Sequence, residues 1–191
     1  MRLDHIAYRV PNRDETVDFF KSVFEYAIGS EFTINFDDGS SAECMALIPI
    51  EKKRKFSTTY LGSDHAPFTI QGTWPDYVEY HLAPEIFVSE GTPGSIVDRW
   101  VKARDGIGGI HHMAYSTKNI DMVVKEWKGN GIKFLSDKVI DCPDDDMRQI
   151  FTKPQPLLGG MIIELIERGD KGFCQNSVKD LMESTDELRD E

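Results

Sequence analysis

Two histidines and one glutamate are the residues of this chain best placed to do chemistry. Leu3-Asp4-His5-Ile6-Ala7-Tyr8 and Ile110-His111-His112-Met113-Ala114-Tyr115 are two copies of one phrase, a short apolar strand carrying a histidine. A further strand, Met161-Ile162-Ile163-Glu164-Leu165-Ile166, sets a carboxylate among apolar neighbours. A buried glutamate is costly unless something positive pairs with it. Neutral imidazoles and a carboxylate together suit Fe(II), and also Zn, Co, Ni or Mn. Aligning His5-Ile6-Ala7-Tyr8 with His112-Met113-Ala114-Tyr115 selects His112 over His111, since adjacent residues on a strand face opposite sides. His5, His112 and Glu164 are therefore candidate metal ligands. Such a set leaves up to three coordination positions open, enough for a chelating substrate and oxygen.

The repeat suggests a fourth ligand. Laying Pro84-Glu85-Ile86-Phe87 over Ile163-Glu164-Leu165-Ile166 makes Glu85 the counterpart of Glu164, with His81 and Ser89 on the same strand face. Four protein ligands would leave two open positions, enough to polarise an enolisable substrate, with Glu85 as an acid–base group. The alternative is that Glu85 is a solvent-facing strand carboxylate.

The elements that must position these groups also occur twice. The first module (residues 1–94) opens with a strand from Leu3 to Val10. A helix from Arg13 to Glu25 follows, with Val17, Phe20 and Phe24 at helical spacing and Asn12 or Asp14 as cap. Strands are expected from Ser30 to Phe36, Ala42 to Ile50 and Val78 to Val88, the first two split by Asp37-Asp38-Gly39. The second module (residues 95–191) begins with a short bridging helix, Ser95 to Asp105. Its strand spans Gly109 to Ser116, and its helix, Asn119 to Asn130, carries an apolar stripe of Ile120, Val123, Val124 and Trp127. Lys133-Phe134-Leu135, a polar turn at Pro143-Asp144-Asp145-Asp146, strands at Met147 to Thr152 and Gly160 to Glu167, and a C-terminal helix around Ser177 to Glu187 complete it. Glu51 to Tyr77 falls outside the repeat and reads as an insertion: a surface loop, a lid or a hairpin. The fold class is thus α+β: two tandem β-α-β-β-β modules forming one compact unit, a curved mixed sheet around a shared metal cleft.

Composition narrows the function. The 191 residues are 40% hydrophobic, enough for one globular unit or two small fused modules. A net charge of −11 argues against nucleic acid or an anionic membrane as partner. No apolar run approaches a membrane span, and the amino terminus lacks an apolar signal core. Three widely spaced cysteines, Cys44, Cys142 and Cys174, argue against a disulfide framework or cysteine-based zinc site. A cytoplasmic protein with a small-molecule substrate is expected.

At these residues the chain resembles the vicinal oxygen chelate, or glyoxalase-like, superfamily. Its second half is similar to the C-terminal catalytic half of the 4-hydroxyphenylpyruvate dioxygenase family. Gly109-Ile110-His111-His112-Met113-Ala114, Gln149-Ile150-Phe151-Thr152-Lys153-Pro154, Ile162-Ile163-Glu164-Leu165-Ile166-Glu167-Arg168 and Gly172-Phe173 carry that likeness. So do Leu3-Asp4-His5 and Phe19-Phe20-Lys21-Ser22-Val23-Phe24 in the first half. The resemblance implies Fe(II) on His5, His112 and Glu164, substrate-lining roles for Gln149 and Phe173, and decarboxylation of a 2-oxo acid with oxygen. It also implies a homodimer as a reasonable assembly. The chain departs from that family in its missing N-terminal domain, its short Ser136 to Arg148 segment, its insertion, and Glu43 and Ser89 in place of a polar Ser/Asn pair. Three readings follow: an Fe(II) dioxygenase-like enzyme, a divalent-metal isomerase, epimerase or lyase, and a metal-free binding protein with structural histidines.

Overall fold

The computed structural model describes residues 1–50, 55–61, 67–73, 84–142, 146–169 and 175–185. In chain order the elements are β1 (Arg2–Arg9), α1 (Arg13–Phe24), β2 (Tyr26–Asn35), β3 (Ser41–Pro49), β4 (Lys55–Leu61), β5 (Pro67–Thr73) and β6 (Glu85–Gly91). Then come α2 (Ile96–Lys102), β7 (Gly109–Ser116), α3 (Ile120–Gly129), β8 (Ile140–Cys142), β9 (Met147–Phe151), a 3-10 turn (Pro156–Leu158), β10 (Ile162–Arg168) and α4 (Gln175–Glu183). The expected strand at 78–83, with His81, and residue Phe173 lie outside the described residues.

Eight strands form one curved half-barrel in the order β2-β3-β6-β1-β7-β10-β9-β8. The repeat is visible in that order. β1 pairs parallel with β6, which pairs antiparallel with β3 and through it with β2. β7 pairs parallel with β10, which pairs antiparallel with β9 and through it with β8. The two halves meet at the antiparallel pair β1–β7. The segment from Glu51 to Tyr77 contributes an antiparallel hairpin, β4–β5, as a separate two-stranded sheet. β8 lies within the stretch expected to be a loop, because a three-residue strand carries no periodicity to read.

Alternation along each strand sorts the core into two layers. Ile86, Val88, Met45 and Leu47 pack with Val17 of α1, and Ile150 and Leu165 pack with Ile120, Val123 and Val124 of α3. On the opposite, concave face Ala7, Phe87, Cys44 and Ala46 pack with Val178 and Met182 of α4. Helices α1, α2 and α3 each begin where a polar side chain replaces the missing intrahelical acceptor. Asn12 accepts from the Glu15 N–H, Ser95 from Asp98 and Asn119 from Met122. Phe24 is a correction to the expected stripe. It is 56% exposed, with its ring against those of Phe19 and Phe20 rather than in the core. No described helix is long and apolar enough to cross a membrane.

Leu165, fully buried beneath α3, should be a stability hot spot. Leu165→Ala is expected to lower unfolding free energy by about 2–5 kcal/mol. Phe24→Ala should cost no more than about 1 kcal/mol. Paired urea denaturation curves check both.

Candidate metal centre

The β1–β7 seam carries the two histidines, and β10 beside β7 carries the glutamate. Register places His112 opposite Ala7 and Glu164 beside Ala114, so both reach the concave face near His5. His5 Nε2 lies 3.2 Å from His112 Nε2 and 3.4 Å from Glu164 Oε2, and His112 Nε2 lies 3.0 Å from Glu164 Oε2. With metal–ligand bonds of about 2.1 Å, cis donors of an octahedron sit about 3.0 Å apart, tetrahedral ones about 3.4 Å and trans ones about 4.2 Å. The three donors therefore fit one side of an ion and leave its other positions without a protein donor. All three residues are buried, and Glu164 Oε1 has no hydrogen-bond partner among the described residues. A carboxylate oxygen orphaned in that position fits a bound cation.

Two irregularities of the seam orient the imidazoles. Between Leu3 and His5 and between Ala7 and Tyr8 the pairing shifts register, so that Asp4 and His111 have no cross-strand partner. Bulges of this kind let two consecutive side chains aim at one region. His111 is accordingly buried beside the cleft together with His112, contrary to the simple alternation rule. Asp4 Oδ1 lies 3.0 Å from His5 Nδ1, and His111 Nδ1 lies 2.9 Å from His112 Nδ1. In each case the partner holds the Nδ1 edge, which turns Nε2 toward the centre. Asp4 is held in turn by Arg168 Nη2 at 3.2 Å.

The electrostatics describe a site in which a proton stands where a cation could. Burial opposes charge on His5, but the Glu164 carboxylate and the Asp4 hydrogen bond outweigh it and raise its pKa to about 9. Burial would raise Glu164, yet His5 and the hydrogen bonds from both histidines hold it down at about 2. His112 is shifted downward, chiefly by burial, with the hydrogen bond to Glu164 working against the shift. His111 is pushed well below its ordinary value by burial and by neighbouring Arg9.

The remaining candidates divide. Gln149 and Ser89 line the cleft, with Ser89 Oγ donating to the Tyr8 carbonyl. Glu85 is not in the cluster: its carboxylate pairs with Arg168 at 2.8 Å. Register explains why. Glu85 sits beside His5, as Ile162 sits beside His112, and Phe87 sits beside Ala7, as Glu164 sits beside Ala114. The counterpart of Glu164 is thus Phe87, two residues beyond the residue that sequence alignment selects. Glu43 lies half-exposed on the other face of β3, accepting from Thr33 and facing Arg13. The residues missed in the sequence are Asp4, Arg168 and Arg9, and His111, set aside there in favour of His112, also lines the cleft. Only Arg9 carried a readable signal, the i, i+2, i+4 spacing of His5, Ala7 and Arg9. Val178, Leu181 and Met182 of α4 roof the cluster, leaving a cavity of about 20 Å3, room for about one water.

No family model matches the chain, and no curated protein sequence matches it. Solved structures do. A methylmalonyl-CoA epimerase superposes with a TM-score of 0.61 at 21% identity over 89% of this chain and 97% of its own. A variant of 4-hydroxymandelate synthase from Streptomyces coelicolor gives 0.70 at 19% identity over 99% of this chain, which spans 54% of that enzyme. A Streptomyces coelicolor methylmalonyl-CoA epimerase in complex with 2-nitronate-propionyl-CoA gives 0.56 at 20% over 89% of this chain and 99% of its own. The chain therefore has the vicinal oxygen chelate, or glyoxalase-like, fold. Its His5, His112 and Glu164 cluster could hold a metal ion.

Removing one donor of three leaves a poor site, so His112→Ala and Glu164→Ala should each lose most bound divalent metal by elemental analysis. Glu85→Gln should keep full stoichiometry. A cation must displace the proton of His5, so binding near pH 7 should release about one proton into weakly buffered solution, and affinity should climb until pH 9. Metal-free protein should behave oppositely. A raised folded-state pKa stabilises the fold fully below the unfolded value of 6.5 and is lost as pH rises through about 9. Its Tm should fall over that window, and that of the metal-loaded protein should fall less.

Proposed function

We propose that this chain is a non-haem Fe(II)-dependent oxygenase acting on a 2-oxo acid or a related chelating substrate. The observation that carries this reading is Phe87. The repeat offers a position opposite Glu164 from which a fourth donor could reach the cluster, and a buried aromatic ring occupies it. Two histidines and one carboxylate leave up to three positions of an ion without a protein donor, which suits a substrate that binds through two oxygens together with a third molecule once the α4 side chains over the cluster give way. Iron held there would supply the chelation and the one-electron chemistry that oxygen requires.

The protein's own groups would bind, orient and exclude water. Gln149 is fully buried on β9 and lines the cleft, where its amide can hydrogen-bond a substrate oxygen. Phe87, Phe151 and the α4 side chains make the surroundings apolar, which strengthens every polar contact made inside. Asp4 and His111 fix the imidazoles, so that the donors need no rearrangement as substrate enters.

A second reading, a divalent-metal epimerase or isomerase, has support from the end-to-end match to methylmalonyl-CoA epimerases. That chemistry needs a base beside the reacting carbon. Among the described residues lining the cleft, the ionisable groups are Arg9, His111 and the three candidate ligands. Glu85, the carboxylate best suited by sequence to be that base, is engaged by Arg168.

Oxygen uptake by anaerobically Fe(II)-loaded protein, offered 2-oxo acids including 4-hydroxyphenylpyruvate, separates the two. Substrate-dependent uptake that disappears in His112→Ala is the expected result. Metal-dependent exchange of a substrate α-proton with deuterium, without uptake, would replace the oxygenase reading with the epimerase one. Phe87→Glu should add a fourth donor, tightening Zn(II) binding at least about tenfold while suppressing oxygen uptake.

A further inference from the structure

Beside the metal cluster lies a second and much larger cavity of about 740 Å3, within the range of small-molecule sites. Arg9 and His111 line both spaces, so the two share a wall. The charge of the large cavity is opposite to that of the chain. The protein carries 33 acidic against 22 basic residues, yet the described lining of this cavity contains Arg9, Arg99 and Arg104 and no Asp or Glu.

Trp100 organises these groups. The Arg104 guanidinium carbon stacks 3.6 Å from the centre of its ring, Arg9 lies 5.9 Å from it, and the His111 ring meets it edge-on at 5.4 Å. Stacking fixes the plane of a guanidinium while leaving its N–H edge available for bidentate contacts to an oxyanion. Arg104 has no carboxylate partner among the described residues. Arg9 is 2% exposed, donates through Nη2 to Thr185 at the end of α4, and stands on the same strand face as His5. A stacked guanidinium at a cavity wall, as at Arg104, is the kind of group that proteins use to grip carboxylate or phosphate.

We propose that this arginine-lined cavity binds an oxyanion, a carboxylate or a phosphate, at the end of the substrate distant from the metal. The substrate class is then bifunctional: a metal-chelating carbonyl end joined to an anionic end by a linker that Arg9 and His111 must shift to admit. The attribution to substrate rests on the metal-centre reading above; binding of the anion does not, and it can be measured without metal.

The test is calorimetric titration of metal-free protein at low ionic strength with inorganic phosphate, pyrophosphate and succinate, repeated on Arg104→Gln, Arg9→Lys and His112→Ala. Arg104 is exposed, so its variant should fold as the parent does, which circular dichroism checks. The expected result is saturable binding of at least one probe. Affinity should fall about tenfold in Arg104→Gln, the loss of one charge-assisted contact, and be retained in His112→Ala. Binding by phosphate or pyrophosphate alone identifies a phosphorylated substrate, and binding by succinate alone a carboxylated one. Absence of saturable binding by all three probes, or affinity unchanged in both arginine variants, overturns the proposal. Anion binding that persists while the protein fails to hold metal would overturn the metal-centre reading and leave the oxyanion site standing.

Discussion

The structure depends on one buried carboxylate. Glu164 is 1% exposed in the middle of a strand whose neighbours are aliphatic. An isolated ionised carboxylate there would cost several kcal/mol, and removing its partners would leave that cost uncompensated. Among the described residues the imidazoles from β1 and β7 form its ion pairs, and they do so because those strands pair antiparallel at the centre of the sheet. The sheet order, the bulges at Asp4 and His111, and the roof of α4 all serve to bring three polar groups into one apolar place. Without a positive partner this carboxyl would have to take up a proton and bury itself neutral.

Much of this was legible in the chain. The repeated His-Ile/Met-Ala-Tyr phrase gave the duplication and picked out His5 and His112, and an apolar strand interrupted by one Glu gave the third group. Asn12 reads as a cap because a short polar side chain before an apolar stripe has few other local uses, whereas Ser95 and Asn119, read as the first residues of their helices, are caps as well. The unread features are those that belong to a pair of strands rather than to one. A bulge is a mismatch between partners, so nothing in Ile110-His111-His112 alone reveals that His111 also turns inward. The register of β6 is likewise set by its partners. With residues 51–77 intervening, alignment by chemical type chose Glu85, whereas hydrogen bonding to β1 chose Phe87. Phe24 failed for a different reason: the last turn of α1 runs past the edge of the surface that Val17 covers.

Comparison of equivalent positions across the pseudo-twofold is instructive. His5 and His112 match. Asp4 and His111 match in position but not in charge, so one imidazole rests on a carboxylate and the other on a neutral ring. Glu164 and Phe87 do not match at all. The frame is symmetric and its chemistry is not: the three candidate ligands come from both halves, and the space beside them is walled by Phe87, Gln149 and α4. Asymmetry of this type makes a directional pocket out of a duplicated scaffold, with the arginine-lined space adjoining it at Arg9 and His111.

The central seam also has a kinetic meaning. His5 and His112 are 107 residues apart in the chain, so the pairing of β1 with β7 closes a long loop. Closing so long a loop forfeits entropy before any contact compensates for it, and topologies rich in such contacts fold slowly. Donors that meet only when β1 pairs with β7 cannot hold an ion before that pairing forms. Any metal taken up at this cluster would therefore wait for chains that have already joined their two halves.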